Sequence, residues 1–596
     1  MKKKIPLVLA ILAAVTVIGI SLRVIFKSEK VFRDVSRQLR ERRLPLHVRK
    51  SKIKDSGLGQ ALLSAMFARD IAYFNGSYYV ATSGGLHVLN DNFSEEQILT
   101  PAHGLFEAQV IKLLPCGQEL YWLYRNGRIG SLSDETVANY WIEEKPIRDI
   151  AVFNGRLLVA TAEAVYEKEQ DRLLEIVHWR GIKGICGGER LTIIGDDNRI
   201  YLATQPPEFL AGGDFQLVET VKEIAGVIYV ASERGLYSSA ERRFLFAGRY
   251  IKDFVEFAGH IAAITHDGEF LWNDRAERVT ATDAIAYRLC AVNDRIFALS
   301  SSGLRVFDRQ RWQAIALRSD LPFPAVTSVC GDPGDLWAGT MADGVMRLRH
   351  RRFVQSYGAG LEVNDSLVAN RVPWFGTSKG IYRFQDQRLD RLAGTEIFYV
   401  NTLACQGDTL FAGTASGLLK ISGSSRELFS RLQNLCNNRL FALNAVASED
   451  VWCGTMGGLS FFARGHFSAC LGSQNSAIKD NWISSIFNVS DQVYFTTFNG
   501  ELGRIASSAA VEILDRRELK FNFNTAQVYR DFILLGTYGN GIYVFNRLSR
   551  ASALFQKEIP SQNITDLVIH DGVLIAASDS GIWFARADDL LAELNL

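Results

Sequence analysis

Histidine and proline are scarce in this chain, at 9 and 12 of 596 residues. No histidine stands at metal-ligand spacing from another histidine or a cysteine, so no metal site is expected. His260 and His266 come nearest, but six residues apart across a strand pair is poor ligand geometry. There is no P-loop, no paired dinucleotide glycines and no EF-hand loop, and no cofactor is expected. Beyond residue 50 the chain carries 53 Lys/Arg against 62 Asp/Glu, a net acidic body without a basic aromatic groove, which excludes nucleic acid. Disorder and collagen-like composition are absent as well. What is present is glycine, 49 residues, and an aromatic content of 11%. That mixture suits tight turns between aromatic-rich strands.

The N-terminus is a separate object. Lys2, Lys3 and Lys4 precede an apolar run over 5–22, long enough to cross a bilayer as a helix. No small-residue cleavage site follows, so residues 1–27 are expected to be an uncleaved transmembrane signal-anchor, with a removed signal as the alternative. Residues 28–60 are rich in Arg and Lys and are expected to form a basic juxtamembrane stalk, solvated or drawn to anionic headgroups. The positive-inside rule would place a body behind such a stalk in the cytoplasm. The lysine start followed at once by an apolar helix favours export, and the expected location is the cytoplasmic membrane, single-pass, with the body in the periplasm or outside the cell.

The body is a repeat. Leu336-Trp337-Ala338-Gly339-Thr340 with Gly344 matches Val451-Trp452-Cys453-Gly454-Thr455 with Gly458, and Trp374-Phe375-Gly376-Thr377 with Gly380. The turn glycine recurs as Gly85, Gly127, Gly235, Gly268, Gly303, Gly344, Gly380, Gly417, Gly458, Gly500, Gly541 and Gly581, with Ala164 and Arg199 standing in two further copies. A Thr or Ser precedes the marker by three or four residues in twelve of these fourteen copies. Four strand-like runs per copy, with polar turns and no helical period, describe a propeller blade. A solenoid would use shorter repeats. The expectation is all-β: two seven-bladed β-propellers in tandem behind the transmembrane helix. Propeller 1 would span 61–318 and propeller 2 would span 319–596, the joint lying at the prolines of 318–324, with six and eight as another split. The tail from Ala587 reads as helix, so the last outer strand is expected from 61–67, closing the ring.

The segment Val326-Thr327-Ser328-Val329 followed by Asp332, Gly334 and Leu336-Trp337-Ala338-Gly339-Thr340 resembles the two-component regulator propeller repeat. The likeness covers nearly all of 65–586, is good in copies eight to eleven and thirteen, and is eroded in copies three to six. It implies a periplasmic ligand-sensing or protein-binding module of the kind fused to a kinase or cyclase. Only 15 residues follow Gly581, so the sensor part alone is expected, signalling through a partner.

Other motifs are explained by the repeat. Gly376-Thr377-Ser378-Lys379-Gly380 matches a nucleophile elbow, but that motif needs a strand-to-helix turn and here lies in the repeated hairpin. Trp337, Trp374, Trp452, Tyr79, Tyr229, Phe297, Phe411 and Tyr494 share one position in the second strand and are expected to pack between blades. Cys116, Cys186, Cys290, Cys330 and Cys405 end first strands of separate blades, too far apart to bridge, while Cys436, Cys453 and Cys470 could include one pair. The chain is therefore expected not to be an enzyme. It is expected to bind a small ligand or a protein, a membrane signalling protein among the candidates, through loops near 100–118 and 433–448. A scaffold for a membrane or envelope complex is the alternative, and a hydrolase or lyase with hub carboxylates the third reading.

Overall fold

The computed structural model describes residues 43–596 apart from 54–56, 144, 205–207, 212–214, 274, 280–283, 447–449, 508–509 and 517–520. The expected membrane span lies outside the described residues. Among the described residues no helix is long and apolar enough to cross a membrane.

The architecture is all-β and propeller-like: fourteen antiparallel sheets follow one another along the chain, with one short helix, Ala587–Glu593, at the end. They are numbered here 1 to 14, covering 70–99, 110–141, 149–178, 182–211, 218–245, 251–278, 286–315, 326–357, 363–391, 400–429, 440–471, 483–516, 523–555 and 564–586. Every marker glycine, and its two substitutes, stands at the first residue of a third strand or within two residues before it. All twelve marker glycines have positive φ, from 77° to 141°. The reason is steric as well as conformational. A Cβ at Gly344 would sit 2.1 Å from the Tyr357 carbonyl oxygen, and one at Gly417 would sit 2.2 Å from that of Phe429. The recurring Thr or Ser has a matching cause. In ten copies its hydroxyl donates to the carbonyl of the marker residue, closing the turn.

By contacts the chain forms two compact units. One comprises the described part of Met1–Arg49 with Cys116–Ile129 and Asn139–Lys252; the other comprises Lys50–Pro115, Gly130–Ala138 and Asp253–Leu596. In the first, one apolar cluster joins sheets 3 and 4 and another joins sheets 4 and 5. In the second, sheet 6 packs on sheet 7 and sheet 7 on sheet 1.

Sheets 8–14 lie wholly in the second unit, and seven clusters link them in turn. Trp337 and Val345 meet Phe375 and Phe384; Ile381 meets Val400; Phe411 meets Phe462; Trp452 meets Phe495; Tyr494 meets Phe523; Leu534 meets Trp583. The seventh cluster sets Val326 and Leu336 of sheet 8 against Ile575 and Phe584 of sheet 14, so the circuit returns on itself. These contacts place Trp337, Trp374, Phe411, Trp452 and Tyr494 between sheets, and Phe297 lies between sheets 7 and 1.

The outermost strand of sheet 14 comes from the other end of the chain. Gly59–Leu62 pairs with Gly581–Arg586, Leu62 opposite Ile582, two residues earlier than expected. Part of the expected stalk is likewise a correction. Arg43–Pro45 adds a fifth strand to sheet 3 and His47–Lys52 a fifth strand to sheet 2. Their alternating side chains and free backbone groups cover two sheet edges that would otherwise be open.

Candidate functional site

The inner strands of sheets 8–14 begin with a shared pattern, apolar, polar, small or acidic, apolar, broken by Phe441 at the second position of sheet 11 and Ser366 at the fourth of sheet 9. All seven carry a bulge at the second position. A bulge re-aims the extra residue's side chain. Here it reaches across to the next sheet: Thr327 donates to the Val363 carbonyl (2.6 Å), Asn364 to Val400 (2.8 Å), Asn401 to Leu440 (2.9 Å), Asn524 to Ile564 (2.9 Å) and Thr565 to Val326 (2.7 Å). Phe441 and Ser484 interrupt this circle. It lines a central cavity of about 170 Å³ whose surface is chiefly hydroxyl, amide and carboxyl.

Two carboxyls stand at the third position. Asp365 accepts the backbone N–H of Leu403 on the next sheet (2.7 Å) and of its own neighbour Ser366 (2.8 Å). Asp566 accepts from Val329 (2.9 Å), from Leu567 (2.8 Å) and from the Thr525 hydroxyl (3.1 Å). Burial outweighs these bonds and pushes Asp365 up to about 6 and Asp566 up to about 7. The same stitch appears three times earlier in the chain. Asp70 accepts from Leu113, Asp149 from Ile185 and Asp253 from Leu289, at 2.8–3.0 Å. The acidic residues at the hub, foreseen only as a requirement of an enzyme, are thus first of all ties between neighbouring inner strands.

The mouth of this cavity is built by a second repeated contact. The residue after the turn Thr donates its N–H to the carbonyl just before the inner strand: Met341 to Ala325, Ala415 to Tyr399, Met456 to Arg439, Phe498 to Trp482 and Tyr538 to Asn522. In four of the seven sheets the residue at this place is large, Met341, Met456, Phe498 or Tyr538, on the edge where the polar cavity opens, and Ser378, Ala415 and Asp579 hold it in the other three. Trp482 and Phe498 stack at 4.2 Å, with Phe441 on Trp482 at 5.3 Å, while Tyr538 and Met341 are 58% and 60% exposed. Sequence reasoning missed this rim. The signal was there: Met, Met, Phe and Tyr follow the marker Thr in a turn that is otherwise polar.

The two loops expected to recognise a partner differ. Loop 100–109 is docked on sheet 14, with Phe106 and Gln109 buried. Ala108 donates to Pro560 (2.8 Å) and the Gln109 amide reaches the Ser580 hydroxyl (2.8 Å). That loop is a connector, because its polar groups are already paired. The loop beginning at Gln433 does belong to the mouth, and there Cys436 bridges Cys470, Cα atoms 5.4 Å apart. The other six cysteines are free. A second cavity of about 470 Å³ lies beside Arg318 and the segment from Gly57 to Ala65. In its wall the buried His87 holds Glu95 through Nδ1 at 2.7 Å. The Gly376–Gly380 motif is strand, turn and strand, Thr377 capping Gly380, with no helix following. No cluster of three metal-ligating side chains occurs among the described residues.

No protein-family model matches the chain, and no curated protein matches it. Solved structures match in fold. An ancestral GH74 enzyme superposes with a TM-score of 0.58 at 10% identity, over 89% of this chain and 99% of that one. PorZ, an essential surface component of the type-IX secretion system of Porphyromonas gingivalis, superposes at 0.53 and 15% identity, over 89% and 87%. The extracellular domain of a hybrid two-component system of B. thetaiotaomicron aligns over 90% and 84% at 16% identity, with a TM-score of 0.42. At these identities the likeness is one of fold. It corrects one expectation: the repeat cannot exclude catalysis, because a glycoside hydrolase is built on the same architecture.

Proposed function

We propose that the chain is a tandem of two seven-bladed propellers, over 61–318 and 319–596, held at the cytoplasmic membrane by residues 1–27 and facing away from the cytoplasm. It serves as the binding, sensor-like component of a larger system, and it binds through the mouth of the 319–596 ring. The observation that carries this reading is the apolar rim on a polar cavity. Aromatic and methionine side chains supply contact area at low entropic cost, and the cavity wall supplies hydrogen-bond partners, the composition of a recognition surface. An exported location is supported by the Cys436–Cys470 bridge, since disulfides persist in oxidising compartments.

The test is crosslinking of the full chain in its native membranes, followed by purification. Trp482→Ala with Tyr538→Ala should abolish retention of the bound partner, while Leu548→Ala, on the opposite edge of sheet 13, should leave it unchanged. Equal retention by both variants would move the site elsewhere. A soluble ligand would show itself instead as a rise in melting temperature that the mouth variant loses.

A further inference from the structure

The two most exposed large apolar side chains of the described residues are Leu432, 91% exposed, and Ile397, 89% exposed. They sit on the loops that lead into sheets 11 and 10. Because these sheets are antiparallel and four-stranded, the entry loops and the second turns share one edge, so both tips point out of the mouth face, beside Tyr399 and Met456. The Leu432 tip is built rather than loose. A single 3-10 turn, Arg431–Gln433, presents it; Ser430 Oγ accepts from the Leu432 N–H (3.2 Å), Asn438 accepts from Arg431 (2.8 Å), and the Cys436–Cys470 bridge ties the base.

The charges named around these tips are mixed but positive on balance. Lys379, Arg431, Arg439 and Lys479 are exposed and form no ion pair among the described residues. The acids of the same sector are engaged: Glu362 accepts from the Tyr399 hydroxyl (2.8 Å), Glu396 faces Arg391 at 3.9 Å, and Asp480 accepts the N–H groups of Trp482 and Asn499. Convex apolar tips with a tyrosine behind them and free cations beside them suit a soft anionic surface better than a preformed protein pocket.

We infer that the sheet 9–12 sector of the mouth face docks onto an anionic lipid surface, Leu432 and Ile397 entering the headgroup region and the four cations lying over lipid phosphates. This rests on the reading that the mouth face is the recognition face.

The test reconstitutes the full chain in vesicles and reads depth, so the N-terminal segment cannot mimic the result. An environment-sensitive fluorophore is placed at Leu432→Cys, at Ile397→Cys and, as the control on the opposite edge, at Leu548→Cys; the unsubstituted chain gives the labelling background. Vesicles contain nitroxide lipid, with or without phosphatidylglycerol. The expected result is quenching at 432 and 397 at least twofold stronger than at 548, greater with phosphatidylglycerol and reduced by salt. Quenching at 432 and 397 no stronger than at 548 overturns the inference. So does loss of a crosslinked protein partner by Leu432→Asp without any quenching, which would give the sector to a protein. Partner retention in the Trp482 and Tyr538 variants is scored separately, so failure of lipid docking and failure of the proposed function are distinguishable. Both tips are almost fully exposed, and unchanged melting of each variant confirms the fold.

Discussion

Asp566 and Asp70 hold equivalent places on the inner strands of sheets 14 and 1 and make the same pair of backbone bonds, yet only Asp70 has a guanidinium beside it. Arg288 lies 3.1 Å from Asp70, whereas the cavity holding Asp365 and Asp566 is lined by neutral groups and has no cation in its wall. The bulged residues differ in the same sense. In sheets 8–14 the cross-sheet donors are Thr and Asn. In the earlier sheets the cross-sheet donors include the bulged Lys183, which reaches Val218 at 3.0 Å, and Arg148, just before its strand, which reaches the Ile182 carbonyl at 2.7 Å. One backbone device is thus run with charge in one region and without it in the other. The neutral version raises its carboxyls, Asp365 to about 6 and Asp566 to about 7, and leaves its cavity wall polar but without a cation.

The comparison breaks most severely at the ring's closing strand. Deleting 59–62 removes Leu62 from sheet 14 and uncovers Trp583 and Phe584. The expected loss exceeds about 5 kcal/mol, since burying one Leu contributes about 2–5 kcal/mol, and it should appear as early denaturant unfolding of 319–596. Next comes the charged stitch. Asp70→Ala leaves the Leu113 amide and the Arg288 charge unpaired, at a cost of about 3 kcal/mol; Arg288→Met in the same background should recover part of it. Asp566→Ala strands only amides, at a cost of about 1–3 kcal/mol. If both aspartates cost the same, the distinction between the two regions fails.

Titration sharpens the contrast further. Asp365 and Asp566 hold protons more tightly folded, at about 6 and about 7, than at their ordinary value of 3.8. The folded chain therefore takes up protons. Their contribution to the stability of sheets 8–14 is fully present below about pH 4 and is lost as pH rises through 6 and 7, while Asp335, held below the usual carboxylate range by Arg347, contributes in the opposite sense at low pH. Urea midpoints across that window should show the slope, and Asp566→Asn should flatten it. The smallest effect belongs to the turn. Thr414→Ala loses the hydroxyl's bond to the Gly417 carbonyl and the acceptor of the Ser416 N–H, about 1 kcal/mol by thermal melting.

Much of this was legible along the chain. Marker glycines count twelve of the fourteen sheets because there the entry to the third strand has positive φ, and the preceding Thr or Ser recurs because in ten copies its hydroxyl closes that turn. The second-strand aromatics announced inter-sheet packing, because equivalence across copies implies a shared structural task. The stalk was misread over 43–52: its charges are those of a solvated linker, and only the open edges of sheets 2 and 3, far along the chain, make strands of it. Loop 100–109 was misread for a similar reason, since length and irregularity look alike whether a loop awaits a partner or has found sheet 14.

The candidate site divides along the same line. Local residue order was enough to set the number of repeats and the place of the turn Thr and Gly, because each rests on contacts within one hairpin or on equivalence between copies; the hub aspartates were not read from it, since their partners are backbone groups of the next sheet. Which strand closes the ring, which aspartate meets an arginine and which apolar turn residues gather around one mouth depend on groups hundreds of residues apart. Those were decided when seven sheets packed side by side and brought the same edge of every hairpin onto one face.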